Sequence, residues 1–148
     1  MSNAYRELIE RQREEVNTLP TKWAFSHKQF EEIMAEWGLT PGDDNHKLLS
    51  IGMGGYILKS DRNLIVSTFK RHREELDAAI AADETGEGFI LDMFRYELAN
   101  HEYCITCDYE DTLDAVGLTE EDLQQQPKLY KALRRACKEI IREWEESE

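Results

Sequence analysis

Cysteine, proline and basic residues are all scarce in this 148-residue chain, and each shortage excludes something. Three cysteines cannot all pair within one chain, and a chain of this length has no need of disulfide staples, so a reducing cytosol is expected. No apolar run approaches the roughly 20 residues that a membrane-spanning helix needs. The N-terminal residues carry no apolar signal region, which also points to the cytoplasm. Eighteen Lys and Arg stand against 31 Asp and Glu, a formal net charge of −13. That balance argues against unaided binding to nucleic acid or to an anionic membrane, because both require a basic surface. Ser-centred nucleophile elbows, a kinase motif set and a Walker lysine are all missing. The three prolines, at positions 20, 41 and 127, punctuate the chain. Pro20 stops a helix, Pro41 opens a loop and Pro127 suits the first turn of a helix.

What is present is helical periodicity. Hydrophobic residues make up 41% of the chain, enough for a core, and charged residues 33%, so most faces should be solvated. Tyr5, Leu8, Ile9, Gln12, Val16 and Leu19 recur at helical spacing. Ser26 is a good N-cap for a second helix with Phe30, Ile33, Met34 and Trp37 as its stripe, and Gly38 supplies the left-handed position after it. Residues 48–59 read as two short strands around Gly52-Met53-Gly54-Gly55. Ser60 or Asp61 can cap a long third helix with stripe Ile65, Phe69, His72, Leu76, Ala79 and Ile80. A helix–helix turn from Asp83 to Gly88 precedes a fourth helix carrying Ile90, Met93, Phe94 and Leu98. Asp111–Val116 suggests a short helix closed by Gly117, and Thr119 caps another. Leu129, Leu133, Ala136, Ile140 and Trp144 form the stripe of the last helix. The expectation is a mainly α protein, a single compact domain over residues 1–148, with about five to seven helices and a small β-hairpin near residues 48–59. Ser2-Asn3-Ala4 matches a triplet often left by tag cleavage, although after Met1 it reads equally as native, and residues 1–4 are set aside from functional reasoning.

The acidic excess is concentrated. From Glu74 to Asp122 there are 16 acidic residues and one basic residue, Arg95. The plain reading is a solvated face that keeps the protein soluble. The sharper reading is a surface for a basic partner, such as the nucleic-acid groove of a DNA- or RNA-binding protein, because carboxylates and phosphates both offer oxygens to Arg and Lys. Asp108, Glu110, Asp111, Asp114, Glu120, Glu121 and Asp122 are the candidate contacts, clustered around short elements. In the last helix Lys128, Lys131, Arg135, Lys138 and Arg142 follow helical spacing on one face, either complementing the acidic segment or lying exposed.

Other constellations carry weaker chemistry. His101, Cys104 and Cys107 lie at intervals of three and could hold zinc, with Cys137, His72 or a carboxylate as fourth ligand, but the second ligand pair of a structural site is missing. Cys104 and Cys107 also have redox-pair spacing, without the strand such a motif needs before it. Glu97 and His101 stand one helical turn apart, as a carboxylate orienting an imidazole would, and equally as an ordinary helical pair. A metal-binding or hydrolytic protein centred on Glu97, His101, Cys104 and Cys107 is therefore the alternative function. Residues 83–94 imitate a calcium loop but place Phe94 where a bidentate Glu is required. Gly52-x-Gly54-Gly55 is too short for a phosphate loop and reads as a hairpin turn. Trp23, Trp37 and Trp144 serve either the core or a homo-oligomer interface.

Phe25-Ser26-x-x-Gln29-Phe30, Ile51-Gly52-x-Gly54-Gly55-x-Ile57, Asp83-x-Thr85-Gly86-x-Gly88-Phe89-Ile90, Tyr96-Glu97-Leu98-x-Asn100-His101-Glu102-Tyr103 and Asp111-Thr112-Leu113-Asp114-Ala115 carry a resemblance that spans nearly the whole chain. The chain resembles a family of small acidic proteins of Gram-positive gut bacteria, often encoded on phages and conjugative elements, with no assigned activity. The resemblance implies a bacterial cytosol and a mobile-element setting, and supplies no catalytic or binding residues. Mobile elements carry acidic proteins that block host-defence nucleases, so the resemblance favours a non-enzymatic interaction protein with a basic protein partner; no cofactor is expected unless zinc sits at His101, Cys104 and Cys107.

Overall fold

The computed structural model describes residues 3–147. Among them are eight α-helices: α1 (Ala4–Asn17), α2 (His27–Glu36), α3 (Arg62–Ala82), α4 (Phe89–Asn100), α5 (Tyr103–Thr106), α6 (Glu110–Val116), α7 (Glu120–Gln125) and α8 (Pro127–Glu146). Three short strands complete the described elements: β1 (Lys22–Trp23), β2 (Leu48–Gly52) and β3 (Gly55–Leu58). The mainly helical class expected from the sequence holds, with one helix and one strand more than expected. The contacts fall into two units, Met1–Arg13 with Glu74–Glu148, and Glu14–Arg73, so that the division runs within α1 and α3.

The discontinuous unit holds the larger core. Tyr5 and Leu8 of α1, Leu76 and Ile80 of α3, and Ile90, Met93, Phe94 and Leu98 of α4 are buried together with Leu129, Leu133 and Ala136 of α8. Leu129, Leu133 and Ala136 recur every three or four residues, so one face of α8 enters the core while the rest stays solvated. Phe94 is fully buried, and truncating such a side chain typically costs about 3–5 kcal/mol.

Local signals end these helices where chemistry requires. The Asp83 carboxylate accepts the backbone N–H groups of Gly86, Gly88 and Ile90 at 3.0, 3.1 and 2.9 Å, tying the α3–α4 turn to the first residues of α4. Lys128 Nζ donates to the carbonyls of Ile80 and Asp83, adding a cation at the C-terminal end of α3. Gly117, at φ +69°, takes the left-handed position after α6. Thr119 and Asp122 form a reciprocal capping box at the start of α7. Asn3 accepts from Arg6 N at 2.8 Å and donates to the Asp92 carbonyl at 3.1 Å. Asn3 thus links the start of α1 to α4, while Met1 and Ser2 fall outside the described residues.

The Glu14–Arg73 unit contains an antiparallel sheet in the order β1-β3-β2. Ser26 caps α2 by accepting from Gln29 N, as its position foretold. Ile33, Met34, Leu48, Ile57 and Ile65 are buried. The hairpin turn is centred on Met53 and Gly54, both at positive φ, as a type I′ turn demands. A methionine in that conformation is strained relative to Asn or Gly, and its side chain is 91% exposed. The α3 stripe differs from expectation by one position. Thr68 is buried and donates to the Leu64 carbonyl, whereas Phe69 is 51% exposed. The tryptophans also depart from a core role, since Trp23 and Trp144 are exposed and Trp37 is half-buried beneath the Lys22 ammonium.

Candidate functional site

The seven candidate carboxylates lie on α6, α7 and the residues just before α6, all in the discontinuous unit. Six are exposed and Asp122 is half-buried. Four of them, Asp108, Glu110, Asp114 and Glu120, line one cleft of about 480 Å³, floored by Leu113 and Leu118 and walled by Tyr109 and Thr119. Asp111, Glu121 and Asp122 do not line it. Asp122 accepts from Thr119 N and Oγ1 in its capping box, and Glu121 accepts from Gln125 Nε2. None of the four cleft carboxylates has a cationic partner among the described residues. Hydrogen bonding toward the nearby Glu120 carboxylate, with partial burial, pushes the Tyr109 phenol up to about 12.

Three other carboxylates of the acidic segment have local roles: Asp83 holds a turn, Asp92 accepts from Ala4 N at 3.4 Å, and Glu97 is only 6% exposed. The basic face of α8 is likewise divided. Lys128 binds the end of α3, and Arg135 pairs with Glu139 and reaches Glu87 at 4.0 Å, so these two do complement the acidic segment. Arg142 reaches only Glu146, at 4.0 Å, and Lys131 and Lys138 have no ion-pair partner among the described residues.

Glu97 and His101 do meet, at 3.2 Å. The Tyr5 hydroxyl donates to the other Glu97 oxygen at 2.7 Å, so the carboxylate is satisfied from two sides. Burial, and then the Glu97 carboxylate, push the Tyr5 phenol far up. Cys104 is half-buried and Cys107 exposed, and all three cysteines are free thiols. Among the described residues no group of three or more His, Cys, Asp or Glu is arranged to hold a metal ion, so His101, Cys104 and Cys107 are not gathered into a ligand set. His72, considered as a fourth ligand, instead meets Glu15 at 2.5 Å. Cys137 faces a different neighbour. Hydrogen bonding toward its sulfur, with burial, pushes the Tyr103 phenol up to about 12, while burial pushes the Cys137 thiol up.

A second cleft, of about 580 Å³, was not anticipated from the sequence. It runs along α8 beside α5, with Tyr103, Tyr109 and Tyr130 among its walls and Arg134, Lys138 and Arg142 along one side. Tyr109 lines both clefts. The three cations stand at intervals of four residues, which a reader of α8 could have extracted, but the tyrosines come from three separate segments.

With this geometry in view, the chain belongs to a family of unknown function, DUF7659, whose model matches residues 4–139. No curated protein and no solved structure matches it. No described helix is long and apolar enough to cross a membrane.

Proposed function

We propose that the protein is a non-enzymatic interaction protein that presents the Asp108/Glu110/Asp114/Glu120 cleft to a basic surface of another protein. The observation that carries this reading is that four carboxylates without cationic partners line one concave site. Carboxylates held this way compete with phosphates for Arg and Lys, so a nucleic-acid-binding protein is the partner class, and nucleic acid itself is repelled. Charge partition supports the reading. By sequence the discontinuous unit has 23 acidic and 10 basic residues, whereas Glu14–Arg73 has eight of each. The resemblance to small acidic proteins of Gram-positive bacteria and their mobile elements makes a cytoplasmic host-defence protein the natural target.

The test is a pull-down from Gram-positive lysate with a salt step and mass spectrometry. The comparison bait carries Asp108→Asn, Glu110→Gln, Asp114→Asn and Glu120→Gln. These changes keep the acceptor oxygens that Glu110 N and the Tyr109 hydroxyl use. A basic protein that elutes with salt and is lost from the neutralised bait is expected. Equal retention by both baits, or retention that salt does not disturb, would sink the reading.

A second reading, self-association, rests on one observation. Of the ten large hydrophobic side chains exposed among the described residues, seven lie in Glu14–Arg73, including Trp23, Phe25, Ile51 and Met53. Sedimentation of the purified protein decides it, a monomer at high concentration removing this reading.

A further inference from the structure

The cleft along α8 has a chemistry opposite to that of the molecule around it. In a chain of net charge −13, its lining includes three cations, Arg134, Lys138 and Arg142, and a single acid, Glu145. The cations are weakly committed elsewhere. Arg134 donates to the Tyr130 hydroxyl at 2.9 Å and lies over that ring, Arg142 reaches Glu146 only at 4.0 Å, and Lys138 has no ion-pair partner among the described residues. Spaced by four residues on one helix, they form a ladder with steps of about 6 Å. Tyr130, 44% exposed, continues the row one turn before Arg134 on α8, and Tyr103 and Tyr109 line the same cleft from other segments.

We propose that this cleft binds a free nucleoside phosphate, with the tyrosines receiving the base and Arg134, Lys138 and Arg142 the phosphates. Aromatic faces stack on any base, while guanidinium and ammonium groups hold phosphate oxygens. The volume of about 580 Å³ lies within the range of small-molecule sites. A lone phosphate would leave the tyrosines unused, and an uncharged ring would leave the cations unused. A nucleic-acid end offers the same chemistry, but each further phosphate adds repulsion from the net charge of −13, so the free nucleotide is the favoured source.

Isothermal titration of the full chain tests this with ADP, adenosine, ribose 5-phosphate and a 5′-phosphorylated oligonucleotide. ADP is expected to bind, and each of the other three at least about tenfold more weakly. Lys138→Gln/Arg142→Gln and Tyr130→Leu should each weaken ADP by about tenfold or more, with circular dichroism and melting temperature unchanged. Glu110→Gln/Asp114→Asn, in the acidic cleft and away from the tyrosine walls, should leave ADP binding equal or tighter, so failure here and failure of the acidic-surface reading are separable. No heat at millimolar ADP overturns the proposal. So does equal binding of ribose 5-phosphate, equal ADP affinity in the Lys138/Arg142 variant, or tighter binding of the oligonucleotide than of ADP.

Discussion

The Tyr5 hydroxyl donates to Glu97 Oε1 at 2.7 Å, joining the first helix to a buried carboxylate 92 residues along the chain. A buried carboxylate that loses a partner bears its own desolvation, which typically costs about 1–3 kcal/mol. Tyr5→Phe keeps the ring contacts with Phe89 and Tyr96 and removes only the donor. It should therefore lower the unfolding free energy by about 2 kcal/mol in urea titrations. A change below about 0.5 kcal/mol would show that Glu97 does not depend on this bond.

Asp83 sets the stability of the α3–α4 turn and its response to acid. Partial burial pushes its carboxyl up, but the N–H groups of Ile90, Gly86 and Gly88, with Lys128, outweigh that and hold it below the usual range. Because the folded-state value is the lower one, its contribution is present in full above the unfolded value of about 3.9 and disappears as pH falls through the folded one. Asp83→Ala should destabilise by about 2 kcal/mol at neutral pH, and the deficit should shrink below about pH 4. An equal deficit at pH 7 and at the acid end would contradict this.

The phenols behave in the opposite sense at the alkaline end. Tyr103 and Tyr109 are each pushed up to about 12, and Tyr5 is pushed up as well. Unfolded tyrosines ionise near 10, so stability is complete below about pH 10 and falls as pH rises beyond it. Ultraviolet titration of tyrosinate should show Tyr5, Tyr103 and Tyr109 ionising late, coincident with loss of helical circular dichroism. Six tyrosines titrating together near 10 in folded protein would refute the burial and bonding described here.

Thr112 offers a gain of stability. Its side-chain oxygen is fully buried and has no hydrogen-bond partner among the described residues. Thr112→Val keeps the shape and deletes the unpaired hydroxyl, and should raise the unfolding free energy by about 1 kcal/mol. A loss of that size would mean the hydroxyl has a partner.

Sequence reading reached the elements whose ends are marked by local chemistry. Ser26, Gly38, Gly117, the Thr119–Asp122 box and Pro127 each act within a few residues of themselves, and all occupy the positions expected. β1 is two residues long, so it has no periodicity to detect and exists only by pairing with β3. Thr68 and Phe69 both fit a helical stripe, and only packing chooses between them. The acidic candidates divide for a similar reason. Asp108, Glu110, Asp114 and Glu120 share a cleft lined by α6, the residues before it and the turn into α7, a closeness that spacing alone does not encode. The tyrosine-lined cleft was hidden because its walls come from α5, the start of α6 and α8.

The discontinuity of the larger unit has a consequence for synthesis. Glu14–Arg73 is contiguous and leaves the ribosome as one piece, but the core that holds Tyr5 and Leu8 needs Leu129, Leu133 and Ala136 from the last helix. Tyr5 is therefore made well before its partners Phe89, Tyr96 and Glu97 on α4, and α4 itself packs against α8, so this core is complete only once α8 emerges. A message truncated before α8 yields a polypeptide that retains its acidic cleft residues and lacks the helix against which α4, α5 and α7 pack. Such a product should go to proteases rather than accumulate, making the emergence of α8 the checkpoint for the discontinuous unit.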